Sequence, residues 1–219
     1  MSYVSHADLG GRSGCGAVSP EPEGAPFHAA WEPRALALTL AMGATGAWNI
    51  DMSRAARETL QDYARLSYYR IWIAALEKLL AGRGLVLDDE VAAGRSLRKP
   101  LPIPRVLAAA AVDRVLAAGA PTLRPPSRPA RFSPGQQVVM RDGPFPHHTR
   151  LPRYAWRRHG TIEKLHGMHV FADANAKGEG EQPQWLYTVV FEGAELWDDA
   201  RARGVTVSID AWEPYMEAA

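Results

Sequence analysis

The segment APTLRPPSRPARFSPG constrains the fold more than any other feature, because it contains Pro121, Pro125, Pro126, Pro129 and Pro134. Proline lacks a backbone N–H and has a fixed φ angle, so this run can form neither a helix interior nor a central strand. We expect it to lie extended over a surface and to separate two halves of different composition. Residues 26–118 are rich in Ala and Leu, whereas residues 132–219 are rich in Val, Tyr, Trp and turn residues.

The first half has the apolar spacing of amphipathic helices. In SYYRIWIAALEKLLAG the apolar residues recur at i, i+3 and i+7, which predicts a helix that ends at Gly82. Asp51 precedes MSRAARETLQDYARL and is the expected N-cap of a second helix. We therefore predict an all-helical N-terminal domain over residues 1–118, with an extended N-terminal arm, and a Pro-rich linker over residues 119–131.

The second half has the pattern of short strands. GQQVVMRD, GTIEKLHG, LYTVVFEG and VTVSIDAWEPY each combine β-branched or aromatic residues with flanking Gly, Pro or Asp. Several such strands in about 90 residues, without a strong helix between them, predict a small β-barrel or roll of SH3-like size over residues 132–219. The predicted fold class is therefore α+β.

Charge and hydropathy exclude several classes of partner. The chain has 25 basic and 24 acidic residues and a net charge of +1, so it has no general attraction to nucleic acids or anionic membranes. Its start lacks the pattern of a signal peptide, and its apolar stretches fall short of the roughly 18 residues that a membrane span needs. We therefore expect a cytoplasmic protein with neither a nucleic-acid nor a membrane partner.

The stretch PHHTRLPRYAWRRHGTIEKLHGMHVFAD is the most conspicuous candidate for binding an anion or a metal. It holds five of the seven histidines: His147, His148, His159, His166 and His169. No Cys or Glu completes a convincing ligand set, and Cys15 is the only cysteine, so hydrogen-bonded histidines are favoured over a metal site. Its arginines form no continuous basic tract, which leaves RNA binding and ion pairing between subunits or domains as alternatives.

The chain also lacks the motifs of a complete enzyme. It contains no G-x-S-x-G, no phosphate-binding glycine loop and no paired carboxylates in an evident cleft. Cys15 lies in the glycine-rich stretch GRSGCGAV, and we do not expect catalysis by its thiol. The polypeptide alone is therefore predicted to be inactive.

Several stretches of the sequence are specific for a protein family only when their order and joint occurrence are considered. ADLGG and GCGAV are followed by FHAAWEPR, SYYRIWIAALEKLL, HTRLPRY, GTIEKLHGMHVFAD, QWLYTVVFEGAELW and VSIDAWEPY. In this order, over roughly residues 7–217, they resemble the β subunit of nitrile hydratase. The resemblance implies that the chain joins a separate α subunit, as an αβ heterodimer or an (αβ)₂ heterotetramer, to hydrate nitriles to amides.

The same resemblance implies where the metal lies. In this family the α subunit holds iron(III) or cobalt(III) through a Cys-x-x-Cys-Ser-Cys motif in which two cysteines are oxidised. This chain has no such motif and is expected to bind no metal itself. Two catalytic arginines of the β subunit are expected to reach the oxidised sulfur ligands; here they are Arg54, in DMSR, and Arg150, in HHTR. Arginine suits this role because its permanent charge and several N–H donors can compensate a buried anion.

The resemblance also indicates a substrate-binding set. The family's Y-Y-x-x-W pattern falls on Tyr68, Tyr69 and Trp72; of these, Tyr68 and Trp72 are predicted to contact substrate and Tyr69 to pack in the core. Ile50 and Ser53 complete the predicted set. Ser53 stands where a larger, often aromatic side chain is usual, which predicts a roomier pocket and bulkier nitriles.

Three alternatives stay open at this point. The first is a subunit of an enzyme like thiocyanate hydrolase, in which the two halves occur as separate chains. The second is a non-catalytic accessory protein that loads metal into the α subunit, although such proteins resemble only the helical half. The third is a free-standing SH3-like binding module, which would leave the helical half unexplained.

Overall fold

The computed structural model describes residues 3–24, 26–197, 199 and 202–219. The chain divides into two compact units. The helical unit combines Val4–Ala7 with Gly14–Gly119, and the β unit combines Tyr3 and Asp8–Ser13 with Ala120–Ala219. None of the helices in the described ranges is long and apolar enough to span a membrane.

The described part of the helical unit contains the helices α1 (Glu32–Gly43), α2 (Ile50–Glu58), α3 (Tyr68–Gly82), α4 (Asp88–Ala93) and α5 (Val112–Ala118). Helix α3 packs against both α1 and α2. It buries Ala75 and Leu76, whose small and branched side chains allow close approach of its neighbours. The helix predicted to end at Gly82 is confirmed.

Helix α2 begins differently from the prediction. Asn49 is its N-cap, because its side-chain oxygen accepts hydrogen bonds from the backbone N–H of Asp51 at 3.0 Å and of the next residue at 2.9 Å. Asp51 is already helical, so its predicted role as N-cap is wrong and its carboxylate is available to other partners. The helix ends at Glu58, where the Thr59 hydroxyl donates to the Ala55 carbonyl at 2.7 Å and competes with the helical ladder.

The β unit contains the strands β1 (Leu123–Arg124), β2 (Gln137–Met140), β3 (His159–His169), β4 (Gln184–Glu192), β5 (Thr206–Trp212) and β6 (Met216–Ala218). Two short helices, α6 (Ala172–Lys177) and α7 (Gly193–Leu196), lie between strands. The four strands predicted from the sequence correspond to β2, β3, β4 and β5.

The sheet is antiparallel and runs in the order β5–β4–β3–β2–β6, with β1 paired to β3. Two register shifts interrupt the pairing of β3 with β4, and Gly167 lies at one of them with φ at 101°. Such bulges bend and twist a strand. Among the described residues β5 and β6 are not paired with each other, so the sheet is open. The α+β class is confirmed, whereas a closed SH3-like barrel is not.

The core of the β unit follows the two-residue period of its strands. On β4, Tyr187, Val189 and Phe191 all point inward with 0% exposure, and on β2 Val138 and Met140 point inward and are likewise buried. Full burial of one such side chain stabilises the fold by roughly 1.5–3 kcal/mol.

Glu213 fastens the Pro-rich segment to the sheet. Its buried carboxylate accepts hydrogen bonds from the Arg128 guanidinium, from the Arg131 backbone N–H at 3.0 Å and from the Tyr187 hydroxyl at 2.5 Å. The Trp185 indole N–H also donates to the Arg128 carbonyl at 2.9 Å. The segment is therefore an ordered part of the β unit.

An N-terminal arm, Asp8–Ser13, also packs within the β unit. The Asp8 carboxylate accepts a hydrogen bond from the Arg153 backbone N–H at 2.8 Å. Gly11 has a φ of 72°, and a Cβ added there would lie 2.7 Å from the Trp197 indole nitrogen and 2.9 Å from Cβ of Tyr154. Only glycine fits this close approach.

Candidate functional site

Arg54 lies on α2 and is held by a buried carboxylate. One terminal nitrogen of its guanidinium lies 2.9 Å from Asp51 Oδ1. Asp51 is 4% exposed, whereas the Arg54 side chain is 41% exposed. The carboxylate can therefore fix the guanidinium from one side and leave other N–H donors for an external anion.

A second guanidinium, that of Arg57, lies one helical turn further along α2. Its Nε donates to the Ser53 carbonyl at 3.2 Å, and one terminal nitrogen lies 3.5 Å from the Ser53 hydroxyl. Burial lowers the pKa of Arg57, and the positive charge of Arg54 lowers it further. The guanidinium of Arg57 thus covers Ser53, which is 8% exposed.

Aromatic side chains of α3 continue this surface. The Arg57 guanidinium carbon lies 5.0 Å from the Trp72 ring centroid, within the range of a cation–π interaction. The Tyr68 and Trp72 ring centroids are 5.5 Å apart, and Tyr68 is 64% exposed. Tyr69 is half-buried and packs on Phe27 at 5.5 Å, and its ring centroid also lies 5.1 Å from that of Tyr68 and 6.0 Å from that of Trp72.

We call the group formed by Ile50, Ser53, Arg54, Arg57, Tyr68 and Trp72 the α2–α3 surface. The contacts bring Ser53, Trp72 and Tyr68 together through Arg57. Ile50 lies at the first position of α2 and is 49% exposed. The predicted residues of the helical unit therefore lie on two adjoining helices, and most of them are accessible.

Arg150 lies in the β unit, in a turn whose backbone is hydrogen-bonded to a buried side chain. The Arg150 backbone N–H donates to the Tyr215 hydroxyl at 3.0 Å, and that hydroxyl donates to the Asp173 carboxylate. Tyr215 is 1% exposed and Asp173 is 2% exposed, whereas Arg150 is exposed. We call the pair of Asp173 and Tyr215 the buried clamp.

The clamp also contacts the residues that precede Arg150. The Thr149 hydroxyl hydrogen-bonds to Asp173, and His147 Nδ1 lies 3.7 Å from Asp173 Oδ2. Burial raises the pKa of Asp173 to about 6, although the hydrogen bond from Tyr215 and the neighbouring imidazoles oppose the rise. Burial likewise raises the pKa of Tyr215, and the charge of Asp173 adds to the rise. The clamp therefore fixes the backbone that carries Arg150.

The histidines of the second half have separate partners. His159 lies 3.3 Å from Glu195, His166 lies 2.7 Å from the Thr188 hydroxyl, and the His169 ring lies 2.9 Å from the Thr122 hydroxyl. Within the described ranges no three His, Cys, Asp or Glu side chains converge in a group that could hold a metal ion. The described histidines therefore do not fit a metal centre.

A cavity of about 630 Å³ lies elsewhere in the helical unit. Its walls come from α4 and the loops on either side, and they include Leu85, Arg95, Arg98 and Leu101. None of the predicted site residues lines it. This cavity is therefore not the candidate site, despite its volume.

Three important residues were absent from the predicted site. Arg57 has no signal of its own in the sequence, because an isolated arginine on a helix is usually a surface charge. Tyr215 and Asp173 do fall within stretches quoted above, VSIDAWEPY and GTIEKLHGMHVFAD, but their pairing across the β unit cannot be read from either stretch alone.

The fold and these surfaces define a class: a two-unit α+β chain in which each unit carries candidate site residues with guanidinium groups, and the helical unit also carries aromatic ones. The sequence pattern described as nitrile hydratase beta subunit, N-terminal, matches residues 3–115, and the corresponding C-terminal pattern matches residues 121–218. The chain belongs to the nitrile hydratase β-subunit family. The resemblance inferred from the motifs is thereby confirmed.

Relatives of nearly full length support the assignment. The nitrile hydratase subunit beta of Pseudomonas putida is 36% identical over 97% of this chain and 98% of its own. The low-molecular weight cobalt-containing nitrile hydratase subunit beta of Rhodococcus rhodochrous is 34% identical over 95% and 96%. The thiocyanate hydrolase subunit alpha of Thiobacillus thioparus is 31% identical, but over only 32% of this chain and 56% of its own.

Proposed function

We propose that this chain and a metal-bearing α subunit together hydrate nitriles to the corresponding amides. The match to nitrile hydratase β subunits over nearly the whole chain carries the proposal. In this proposal the metal, iron(III) or cobalt(III), belongs to the α subunit, where it would act as a Lewis acid. The Rhodococcus rhodochrous relative is named as cobalt-containing, so cobalt is the first metal to supply and iron the second.

Arg54 and Arg150 would bind the oxidised sulfur ligands of the partner. A buried anion without a counter-charge is costly, and a guanidinium offers both charge and several N–H donors. Asp51 supports this role for Arg54, because a carboxylate 2.9 Å away limits the motion of the guanidinium. The buried clamp supports it for Arg150, because it fixes the backbone from which that side chain extends.

Ile50, Ser53, Tyr68 and Trp72 would form one wall of the nitrile pocket, together with the Arg57 guanidinium that covers Ser53. Tyr68 and Trp72 offer adjacent aromatic faces, and Ile50 offers an exposed apolar side chain. A nitrile is a small linear group with one hydrogen-bond acceptor, so an apolar wall with few polar groups suits it. The pocket would be completed by the α subunit.

The assembly would be an αβ heterodimer or an (αβ)₂ heterotetramer in the cytoplasm. The family assignment supports an α subunit as the partner. The antiparallel, bulged sheet is compatible with an SH3-like roll as the finer description of the β unit.

The test is co-expression with the α subunit, followed by metal analysis and measurement of amide formation. Arg54→Lys and Arg150→Lys should each lower kcat by about a hundredfold while the complex stays assembled. Arg65→Lys is the matched control for Arg54, because Arg65 also faces an aspartate three residues earlier but at 3.6 Å and with 86% exposure. Arg157→Lys, at 77% exposure, is the control for Arg150.

Two outcomes would contradict this account. A complex that contains cobalt or iron and forms no amide from any nitrile would refute the function, and turnover of thiocyanate instead would favour an enzyme like thiocyanate hydrolase. Full activity in both lysine variants at the predicted positions would refute the roles of the two arginines.

A further inference from the structure

Within the part of the chain that the structure describes, Arg57 is a cation of the α2–α3 surface without a carboxylate at ion-pair distance. Among the described residues, no carboxylate lies within ion-pair distance of its guanidinium, and the hydrogen bonds it makes there go to Ser53. Arg54, on the same helix, has Asp51 at 2.9 Å. Arg54 thus has a carboxylate at hydrogen-bond distance, whereas among the described residues the carboxylate of Glu58 acts on Arg57 only from beyond that distance.

The orientation of Arg57 leaves one edge of its guanidinium open. Nε and one terminal nitrogen point toward Ser53, at 3.2 and 3.5 Å. The second terminal nitrogen makes no hydrogen bond within the described part of the chain, and it forms, with the outer N–H of the first, a planar pair of donors. Such a pair matches the two oxygens of a carboxylate.

Trp72 and Ser53 together hold the guanidinium in this orientation. The ring of Trp72 lies 5.0 Å beneath it, and a serine at position 53 leaves room for the arginine to fold back. The space expected from the small side chain of Ser53 is therefore taken by a guanidinium. A bulky apolar nitrile therefore gains less binding free energy from the α2–α3 surface than a nitrile that carries a negative charge.

We propose that Arg57 is a specificity-determining residue that binds a carboxylate at the end of the substrate remote from the nitrile. The favoured substrates are short cyanocarboxylates, in which an aliphatic chain separates the nitrile from the carboxylate. The proposal rests on the proposed nitrile-hydrating function and on the placement of Tyr68 and Trp72 in the pocket wall. A carboxylate bound to Arg57 would lie beside these aromatic rings, with the aliphatic chain against them.

The test compares two substrates in the assembled αβ complex. One is a cyanobutanoate with the nitrile and carboxylate at opposite ends, and the other is pentanenitrile, which has a similar length and no charge. Arg57→Gln should lower the ratio of kcat/KM for the cyanobutanoate over that for pentanenitrile by about tenfold, mainly through KM. Arg57→Lys keeps the charge but not the planar pair of donors, so it should give an intermediate ratio.

Arg70→Gln is the matched control. Arg70 lies on α3, the helix that also carries Trp72, and its guanidinium carbon lies 4.6 Å from the Trp31 ring centroid. Loss of the Arg70 guanidinium should leave the substrate ratio unchanged. An equal fall for both substrates in Arg57→Gln would mean a structural role and would overturn the proposal. Dissociation of the variant complex in gel filtration would show that Arg57 pairs with a carboxylate of the α subunit instead, which also overturns it.

The outcomes also separate this inference from the proposed function. If the wild-type complex hydrates neither substrate, nor any other nitrile, the proposed function has failed. If it hydrates pentanenitrile but Arg57→Gln does not change the substrate ratio, only the role of Arg57 has failed.

Discussion

Tyr215→Phe tests the buried clamp directly, because it removes one oxygen atom and retains the ring. That oxygen accepts a hydrogen bond from the Arg150 backbone N–H, donates one to Asp173, and also hydrogen-bonds to the Thr149 side chain. The ring packs against Phe145 and Phe171, with centroids 6.1 and 5.7 Å away, and a phenylalanine keeps these contacts.

The expected cost follows from what the substitution leaves behind. A buried carboxyl loses a donor, and a backbone N–H loses its acceptor; each such loss costs about 1–3 kcal/mol. With Tyr215 at 1% exposure, water does not readily replace the missing hydroxyl. We expect a decrease of about 3 kcal/mol in the free energy of unfolding. We also expect a loss of kcat of about tenfold, because a looser backbone misplaces the Arg150 guanidinium.

Two measurements on the αβ complex check this prediction. Denaturant unfolding gives the loss of stability, and hydrogen exchange of the Arg150 amide should accelerate by at least about tenfold once its acceptor is gone. Tyr154→Phe is the control, because within the described residues the Tyr154 hydroxyl makes no hydrogen bond and its ring packs on Trp197 at 5.8 Å. Unchanged exchange at Arg150 in Tyr215→Phe would refute the reasoning.

Two further predictions concern buried carboxyl groups. Because burial raises the pKa of Asp173 from 3.8 to about 6, the folded state binds its proton more tightly than the unfolded state. Stability should therefore fall by about 2 kcal/mol between about pH 4.5 and pH 7.5, and Asp173→Asn should remove most of this fall in urea titrations. Burial alone would raise the pKa of Glu213, but hydrogen bonds from Tyr187, Arg131 and Arg128 hold it below its usual value. Its contribution is thus present at neutral pH and lost in acid, and Glu213→Gln should cost about 3 kcal/mol at neutral pH. Thermal melts that match the wild type there would contradict this.

The sequence predicts best what depends on local spacing. The third helix has a long apolar repeat and closing glycines, so its limits follow from the pattern. The predicted start of α2 is wrong because Asn49 and Asp51 are both good capping residues, and only the backbone conformation decides between them. An open or closed sheet depends on whether β5 meets β6, which alternating hydrophobicity does not encode.

The candidate site divides in the same way. The motifs predict Arg54 and Arg150 as site residues by their position, but they do not predict the groups that hold these side chains or their backbone. Asp51 lies three residues before Arg54, a spacing at which two side chains of a helix can meet, so this contact could be predicted from the sequence. The hydrogen bond between Asp173 and Tyr215 joins α6 to the residues just before β6. The contact in which the Arg57 guanidinium covers Ser53 depends on the rotamer of Arg57. Neither follows from any local pattern.

The N-terminal arm has a consequence for biosynthesis. Asp8 and Gly11 leave the ribosome long before Arg153 and Trp197, the residues against which they pack. During translation the β unit therefore cannot reach its final form until the residues up to Trp197 have emerged. Until then the N-terminal arm stays exposed to solvent. A bulky tag fused just ahead of Asp8 would hinder this last docking step more than one attached after β6.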